Sequence, residues 1–158
     1  MKKLLIVLLA LTAIVCTVSC NGGAGDGAYT FTVNGQKLAI DAKAQETLNA
    51  VGAPISSQEL GTCGIGDKDK LFIYADFRVM TYQMEGVDYF YQIELLTDLV
   101  STEEGIAIGA TEQAVIDAYG EPDTRDVSAF TYAAKGMKLV LHFGAESTVK
   151  SIVYMRAE

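Results

Sequence analysis

Apolar and polar residues alternate along most of the chain after residue 28, and a period of two is typical of β-strands with one buried face. The pattern predicts strands over 29–33, 36–40, 71–77, 79–84, 88–96, 129–133, 136–143 and 148–155. In the segment 136–143 the odd positions are large and apolar, so Lys138, Val140 and His142 are expected on the less buried face. Asn34-Gly35 separates the first two strands and favours a type I′ turn, which predicts a β-hairpin.

Two segments change to a helical period. Asp41 and Thr111 are the expected N-caps, and each is followed by helix-compatible residues with an apolar face. Gly52 and Gly120 are expected to end these helices, because glycine adopts the left-handed conformation at little cost. A proline shortly after each glycine then prevents the helix from continuing.

The helical segments belong to an internal duplication. LAIDAKAQETLNAVGAP at 38–54 aligns without gaps with IAIGATEQAVIDAYGEP at 106–122, and the first copy carries an extra segment near 56–68. The prediction is one tandem α+β domain at 29–158, with repeats at about 29–98 and 104–158. Each repeat is expected to hold a short helix and about three antiparallel strands. The helices would pack on one face of the sheet and leave the other partly open.

Residues 1–19 have the parts of a bacterial lipoprotein signal: two lysines, an apolar run, and small residues before Cys20. The apolar run is too short to span a bilayer. We therefore expect a mature chain that begins at Cys20 and is anchored there by lipid outside the cytoplasm, on the cell membrane or on any outer membrane of the host. An ordinary secretory signal is the alternative. Gly-rich residues 20–28 are expected to form a flexible tether.

The charge balance is acidic, with 12 Lys and Arg against 20 Asp and Glu and a net charge of −8. Because no basic run is present, nucleic acid is excluded as an expected partner. Cys16 leaves with the signal and Cys20 is assigned to lipid, so Cys63 remains alone and no disulfide framework is expected. Cys63 is interpreted as a small buried side chain in a strand, and a catalytic thiol or an intermolecular bridge are the alternatives.

Residues that suggest catalysis or metal binding are sparse. His142 is the one histidine, and no nucleophile has the sequence context of a catalytic triad. Asp67-Lys68-Asp69 lacks the further ligands and the glycine of a calcium loop. We therefore expect no cofactor, no metal and no enzymatic activity. A hydrolase that uses Cys63 or His142 is the catalytic alternative.

Tyrosines on predicted strands are the best candidates for contact residues, because a rigid ring with a polar tip loses little entropy on binding. The candidate partner-binding residues are Tyr74, Tyr82, Tyr91, Tyr132 and His142. Tyr74 and Tyr132 occupy equivalent positions in the two copies and are the first choices. The alternative is that most of these rings pack in the core.

Gly109-Ala-Thr-Glu-Gln-Ala-Val115 followed by Tyr119-Gly120-Glu121-Pro122 is similar to a G-x-T-x-x-x-V…G-x-P pattern. That pattern occurs in SmpA/OmlA outer-membrane assembly lipoproteins and in β-lactamase-inhibitory-protein-like domains, whose paired repeats the tandem arrangement resembles. TEEGIAIG at 102–109 with AYGEP at 118–122 also resembles uncharacterised lipoproteins of anaerobic Gram-positive bacteria. The resemblance covers roughly 28–158 and implies binding or scaffolding without catalysis.

These observations favour a lipid-anchored, non-enzymatic envelope protein that binds a protein partner through an open sheet face. A small-molecule or peptide-binding lipoprotein, with its ligand between the repeats, is the alternative.

Overall fold

A computed structural model describes residues 28–61 and 66–157. Its elements are β1 (Thr30–Val33), β2 (Gln36–Ala39), α1 (Gln45–Val51), β3 (Ser56–Leu60), β4 (Lys68–Ile73), β5 (Phe77–Met84), β6 (Val87–Leu95), α2 (Glu112–Tyr119), β7 (Thr124–Asp126), β8 (Ala129–Ala134), β9 (Met137–Phe143) and β10 (Val149–Arg156). β1 and β2 form a hairpin, while the other strands form an eight-stranded antiparallel sheet in the order β3-β4-β5-β6-β10-β9-β8-β7.

The predicted α+β repeat of a helix with about three strands is wrong. Over the described ranges the fold is mostly strand, and four strands follow each helix. All eight belong to one sheet, which is continuous through the pairing of β6 with β10. The strands that sequence analysis missed are β3 and β7, at the two edges of the sheet. Their sequences, SSQEL and TRD, are polar and largely exposed, so they lack the apolar alternation that marks a half-buried strand.

One face of the sheet holds the hydrophobic core. Its fully buried side chains include Val79, Ile93, Leu139, Leu141, Phe130 and Ile152. In β9 burial alternates strictly, which confirms the prediction that Lys138, Val140 and His142 lie on the less buried face. The hairpin and both helices cover the core face, because Phe31, Leu48 and Val115 belong to the same core cluster as the sheet residues.

The predicted helix ends are confirmed except for one cap. The Thr111 hydroxyl accepts a hydrogen bond from the Ala114 N–H at 3.2 Å, and Gly52 and Gly120 directly follow the helices with positive φ. Their ψ values of −177° and −167° are extended, so the glycines end the helices at the predicted positions but not in the predicted left-handed conformation. Asp41 is not an N-cap. Its N–H donates to the Phe90 carbonyl at 2.9 Å, so this segment runs beside β6 and α1 begins only after Ala44.

The predicted type I′ turn is also confirmed, because Asn34 and Gly35 both have positive φ between β1 and β2. The signal at 1–19, Cys20, the tether up to residue 27 and Cys63 lie outside the described residues. In the described ranges no helix combines the length and apolar character needed to cross a membrane.

Candidate functional site: the uncovered sheet face

The face of the sheet opposite the core carries neither helix nor hairpin among the described residues, and it is named here the uncovered face. Strand register aligns its side chains in rows across the sheet. One row is Leu71, Met80, Gln92, Met155 and Lys138, and the next is Ile73, Arg78, Glu94, Val153 and Val140. Both rows cross five strands, β4, β5, β6, β10 and β9. Most of their side chains are half-buried, so their apolar groups remain partly accessible.

A β-bulge in β6 adds an aromatic side chain, Tyr91, to the uncovered face. Met80 pairs with Gln92 and Thr81 with Phe90, so β6 has one extra residue, Tyr91, between the two pairs. Thr81 and Phe90 point into the core and are fully buried. Since a bulge places two consecutive residues opposite one partner, Tyr91 and Gln92 both project from the uncovered face.

Tyr91 lies beside a fixed aromatic pair. The Tyr82 ring stacks on Tyr89 with centroids 5.5 Å apart, and the Tyr91 ring meets Tyr82 edge-on at 6.5 Å. The Tyr82 hydroxyl donates to Asp41 Oδ1 at 3.0 Å and accepts from Arg156 Nη1 at 2.9 Å. Burial and the hydrogen bond to Asp41 raise the pKa of Tyr82 above its ordinary value. The hydroxyl therefore remains a proton donor at neutral pH, and the ring is held in place.

The central charges of the uncovered face neutralise one another. Arg78 Nε donates to Glu94 Oε2 at 2.7 Å, and the Ser151 hydroxyl donates to the other carboxylate oxygen at 3.2 Å. A depression of about 140 Å³ lies beside this pair and is lined by Leu71, Arg78, Met80 and Gln92. The centre of the face is therefore apolar and close to neutral, with a shallow concavity.

Tyr74 and Tyr132, the first-choice contact residues, are not on this face. Tyr74 is 8 % exposed and stacks on Phe77 at 4.5 Å, and Tyr132 is 2 % exposed. The Tyr132 hydroxyl donates to the Gly120 carbonyl at the end of α2 at 2.9 Å. Both rings lie on the covered side, where helices and hairpin bury them, so their assignment as surface contacts is corrected.

The structure brings together Tyr82 and Tyr91 at one end of the uncovered face. Tyr82 is only 5 % exposed, so its assignment as a surface contact is corrected like that of Tyr74, and its ring instead packs against Tyr91. His142 lies further along the face, half-buried on β9 beside Ser151 of β10. Sequence analysis did not single out Met80, Gln92 or Met155. The alternation within β5 could have indicated Met80. The bulge beside Gln92 depends on pairing with a neighbouring strand, which a single sequence does not reveal. No group of three His, Cys, Asp or Glu side chains in the described ranges is placed to hold a metal ion.

No family model and no curated protein matches this sequence. Two solved structures share the fold at low sequence identity. An extracellular protein containing a SCP domain from Bacillus anthracis matches with a TM-score of 0.54 and 12% identity, over 74% of this chain and 44% of that one. A DUF4309 family protein, YjgB from Bacillus subtilis, matches with a TM-score of 0.50 and 13% identity, over 79% and 86%. The chain thus spans less than half of the first protein, and the likeness concerns the fold.

Proposed function

We propose that this chain is a lipid-anchored, non-enzymatic protein of the cell envelope that binds a protein partner through the uncovered face. The observation that carries the proposal is the row of Leu71, Met80, Gln92 and Met155 across four strands, with Tyr91 beside it. Aromatic residues, Met and Arg are enriched at the centres of protein interfaces. An open face whose backbone is already paired within the sheet offers side-chain contacts without unsatisfied backbone groups.

The distribution of charge supports a protein partner over a charged ligand. The whole chain has a net charge of −8, yet the centre of the uncovered face holds one ion pair, Arg78 with Glu94. Lys138 adds one positive charge at the side. A partner approaching this face therefore avoids most of the repulsion that an acidic surface would impose on another acidic protein. Such binding should depend only weakly on salt.

The proposed location rests on the N-terminal sequence. The signal at 1–19 ends directly before Cys20, where lipid would anchor the chain. A protein described as extracellular shares this fold, which agrees with a location outside the cytoplasm. The resemblance to SmpA/OmlA and inhibitor-like domains stays a prediction and points towards the same class of role.

Replacing Met80 by Lys should weaken partner capture at least about tenfold, because an unpaired ammonium would be desolvated at the centre of the interface. The measurement is quantitative capture from envelope extract by the full chain in detergent, before and after the substitution. Val127 is a matched control, since it is fully exposed in the turn between β7 and β8. Val127→Lys should capture as much partner as the wild type. Equal capture by both variants, with unchanged unfolding midpoints, would remove the uncovered face from the proposal.

Substitution of Cys20 by Ala should move the protein from the membrane fraction to the soluble fraction, because stable anchoring requires the acyl chains. Fractionation of source cells followed by immunoblotting measures this. Cys63→Ala serves as the control and should leave the protein in the membrane fraction. A Cys20→Ala protein that is secreted and still sediments with membranes would contradict lipid anchoring.

A further inference from the structure

The two edges of the eight-stranded sheet differ in how well they are protected against pairing with another strand. β7 has only three residues, and two of them, Arg125 and Asp126, are charged. Short length and charge are common ways in which proteins block a sheet edge. β3 has five residues, SSQEL, of which only Glu59 is charged, and it contains neither lysine nor proline. β3 is therefore the open edge of this sheet.

The outer backbone groups of β3 are available for pairing. On its inner side β3 pairs with β4, from Ser56 opposite Ile73 to Leu60 opposite Asp69. Alternate residues of an antiparallel strand direct their N–H and C=O groups towards one neighbour and then towards the other. Within residues 28–61 and 66–157 no backbone group of another segment pairs with the outer side of β3. The first four side chains of β3 are exposed, so an approaching strand can reach this backbone.

The side chains of β3 match those of a second, identical β3. When two copies run antiparallel about a two-fold axis at Gln58, Ser57 of one copy lies opposite Glu59 of the other. The Ser57 hydroxyl can donate to the Glu59 carboxylate, and symmetry provides this contact twice. At the axis the two Gln58 amides face each other, and each can both donate and accept. No like charges meet in this register.

The same operation on β7 is unfavourable. A two-fold axis at its central residue, Arg125, places two guanidinium groups opposite each other, and like charges directly opposite destabilise a strand pair. The Arg125 side chain is also engaged within its own chain, where it donates to Glu112 at 3.0 Å and lies over the Phe130 ring. Self-pairing is thus a property of β3 and not of any edge of this sheet.

The charges next to β3 permit the approach of a second copy. Glu59 pairs with Lys68 at 3.5 Å, and Lys70 on the same strand as Lys68 pairs with Asp88 at 2.7 Å. The whole chain has a net charge of −8, which would normally keep two copies apart. At this edge, however, the carboxylate of β3 already has a cation beside it. Repulsion between two copies is therefore weak where the strands would meet.

The fold already contains a junction of this kind. The strand order β3-β4-β5-β6-β10-β9-β8-β7 places four strands from each half of the chain on either side of the β6–β10 pair. The two halves are thus related by an approximate two-fold axis, and four antiparallel residue pairs, from Gln92 with Met155 to Leu95 with Ile152, join them. β3 offers five residues for an equivalent junction at the other side of the first half.

We infer that two copies of this chain associate edge to edge through β3, with the strands antiparallel about Gln58. Backbone hydrogen bonds replace bonds to water and add little each, so the pairing is weak between chains free in solution. Confinement of both copies to one membrane raises their local concentration, and to this extent the inference rests on the proposed lipid anchor. The second sheet continues the first in its own plane, so the uncovered face stays accessible to a different partner.

Cysteine crosslinking in intact source cells tests the pairing. Gln58→Cys is made in a Cys63→Ala background and treated with a short bismaleimide, since the two residues at the axis lie next to each other. We expect an adduct of two chains at a yield at least about fivefold above that of Thr124→Cys, which marks the other edge in the same background. The Cys63→Ala parent gives the background. Equal yields from Gln58→Cys and Thr124→Cys would overturn the inference.

A charge exchange at the axis tests the register. The reporter is Ser56→Cys in the Cys63→Ala background, whose two copies lie about 13 Å apart in this register, within reach of a longer bismaleimide. Adding Gln58→Lys or Gln58→Glu should lower the adduct at least about fivefold, because like charges then meet. Coexpression of the two should restore it, because opposite charges face each other. Unchanged adducts in the single variants, or no recovery on coexpression, would overturn the inference.

Met80→Lys separates this inference from the proposed partner interface. Met80 lies on the uncovered face, away from the outer side of β3, so the Gln58→Cys adduct should be unchanged by this substitution. Loss of the adduct would show that two copies meet through the uncovered face, and it would overturn pairing through β3. The unfolding midpoint of each variant shows whether it is folded.

Discussion

Replacing Phe31 by Ala is expected to lower the free energy of unfolding by about 3–5 kcal/mol. Phe31 comes from the β1–β2 hairpin and is fully buried. Its ring packs edge-on against Phe77 at 5.2 Å and tilted against Tyr154 at 6.4 Å. The substitution would therefore open a cavity between the sheet and the layer that covers it. Urea denaturation of the full chain, followed by circular dichroism, measures the loss.

Val127→Ala is the control for this measurement, since Val127 is fully exposed and its truncation should change stability by less than about 0.5 kcal/mol. A loss of less than about 1 kcal/mol at Phe31 would mean that the hairpin is not docked on the core. The distinction between a covered and an uncovered face would then fail.

Stability is expected to fall steeply above pH 10. Burial raises the pKa of Tyr132 from 10.0 to about 12, and burial also raises the pKa of Tyr119 and Tyr154. A phenol with a raised pKa in the folded state holds its proton more tightly there than in the unfolded chain. Its contribution is therefore fully present below pH 10 and is lost as the pH rises through its folded pKa. For Tyr132 alone, the rise in pKa from 10.0 to about 12 corresponds to about 3 kcal/mol of folding free energy.

Thermal unfolding midpoints measured from pH 7 to pH 12 test this expectation. The midpoint should change little up to pH 9 and then fall. The Tyr132→Phe variant should lose less stability between pH 10 and pH 12 than the wild type, because one of the titrating groups is gone. A wild-type midpoint that stays constant up to pH 12 would contradict the expectation.

Local features of this fold follow well from the sequence where one residue type has a strong backbone or burial preference. The alternation in β9, the Asn34-Gly35 turn and the Thr111 cap all depend on neighbouring residues alone. Asp41 failed as a cap because its backbone pairs with β6, far away along the chain. The preference of Asp for an N-cap position is overridden by this tertiary contact, which no local sequence pattern reveals.

The candidate site was less predictable for the same reason. A tyrosine fits the alternating pattern of a strand whether its face of the sheet is covered or open. Tyr74 and Tyr82 therefore look alike in the sequence. The structure separates them: Tyr74 lies under α1, and Tyr82 lies on the uncovered face beside Arg156. The polar edge strands β3 and β7 likewise left no hydrophobic signal, and their omission produced the three-strand repeat.

Site-specific photo-crosslinking tests the partner interface most directly. A photoreactive amino acid placed at Gln92, on the uncovered face, is compared in living source cells with the same residue at Ala50, which is exposed on α1. A single abundant adduct from Gln92, absent from Ala50, is the result that a partner on the uncovered face predicts. Equal adducts at both positions, or an adduct from Ala50 alone, would contradict it.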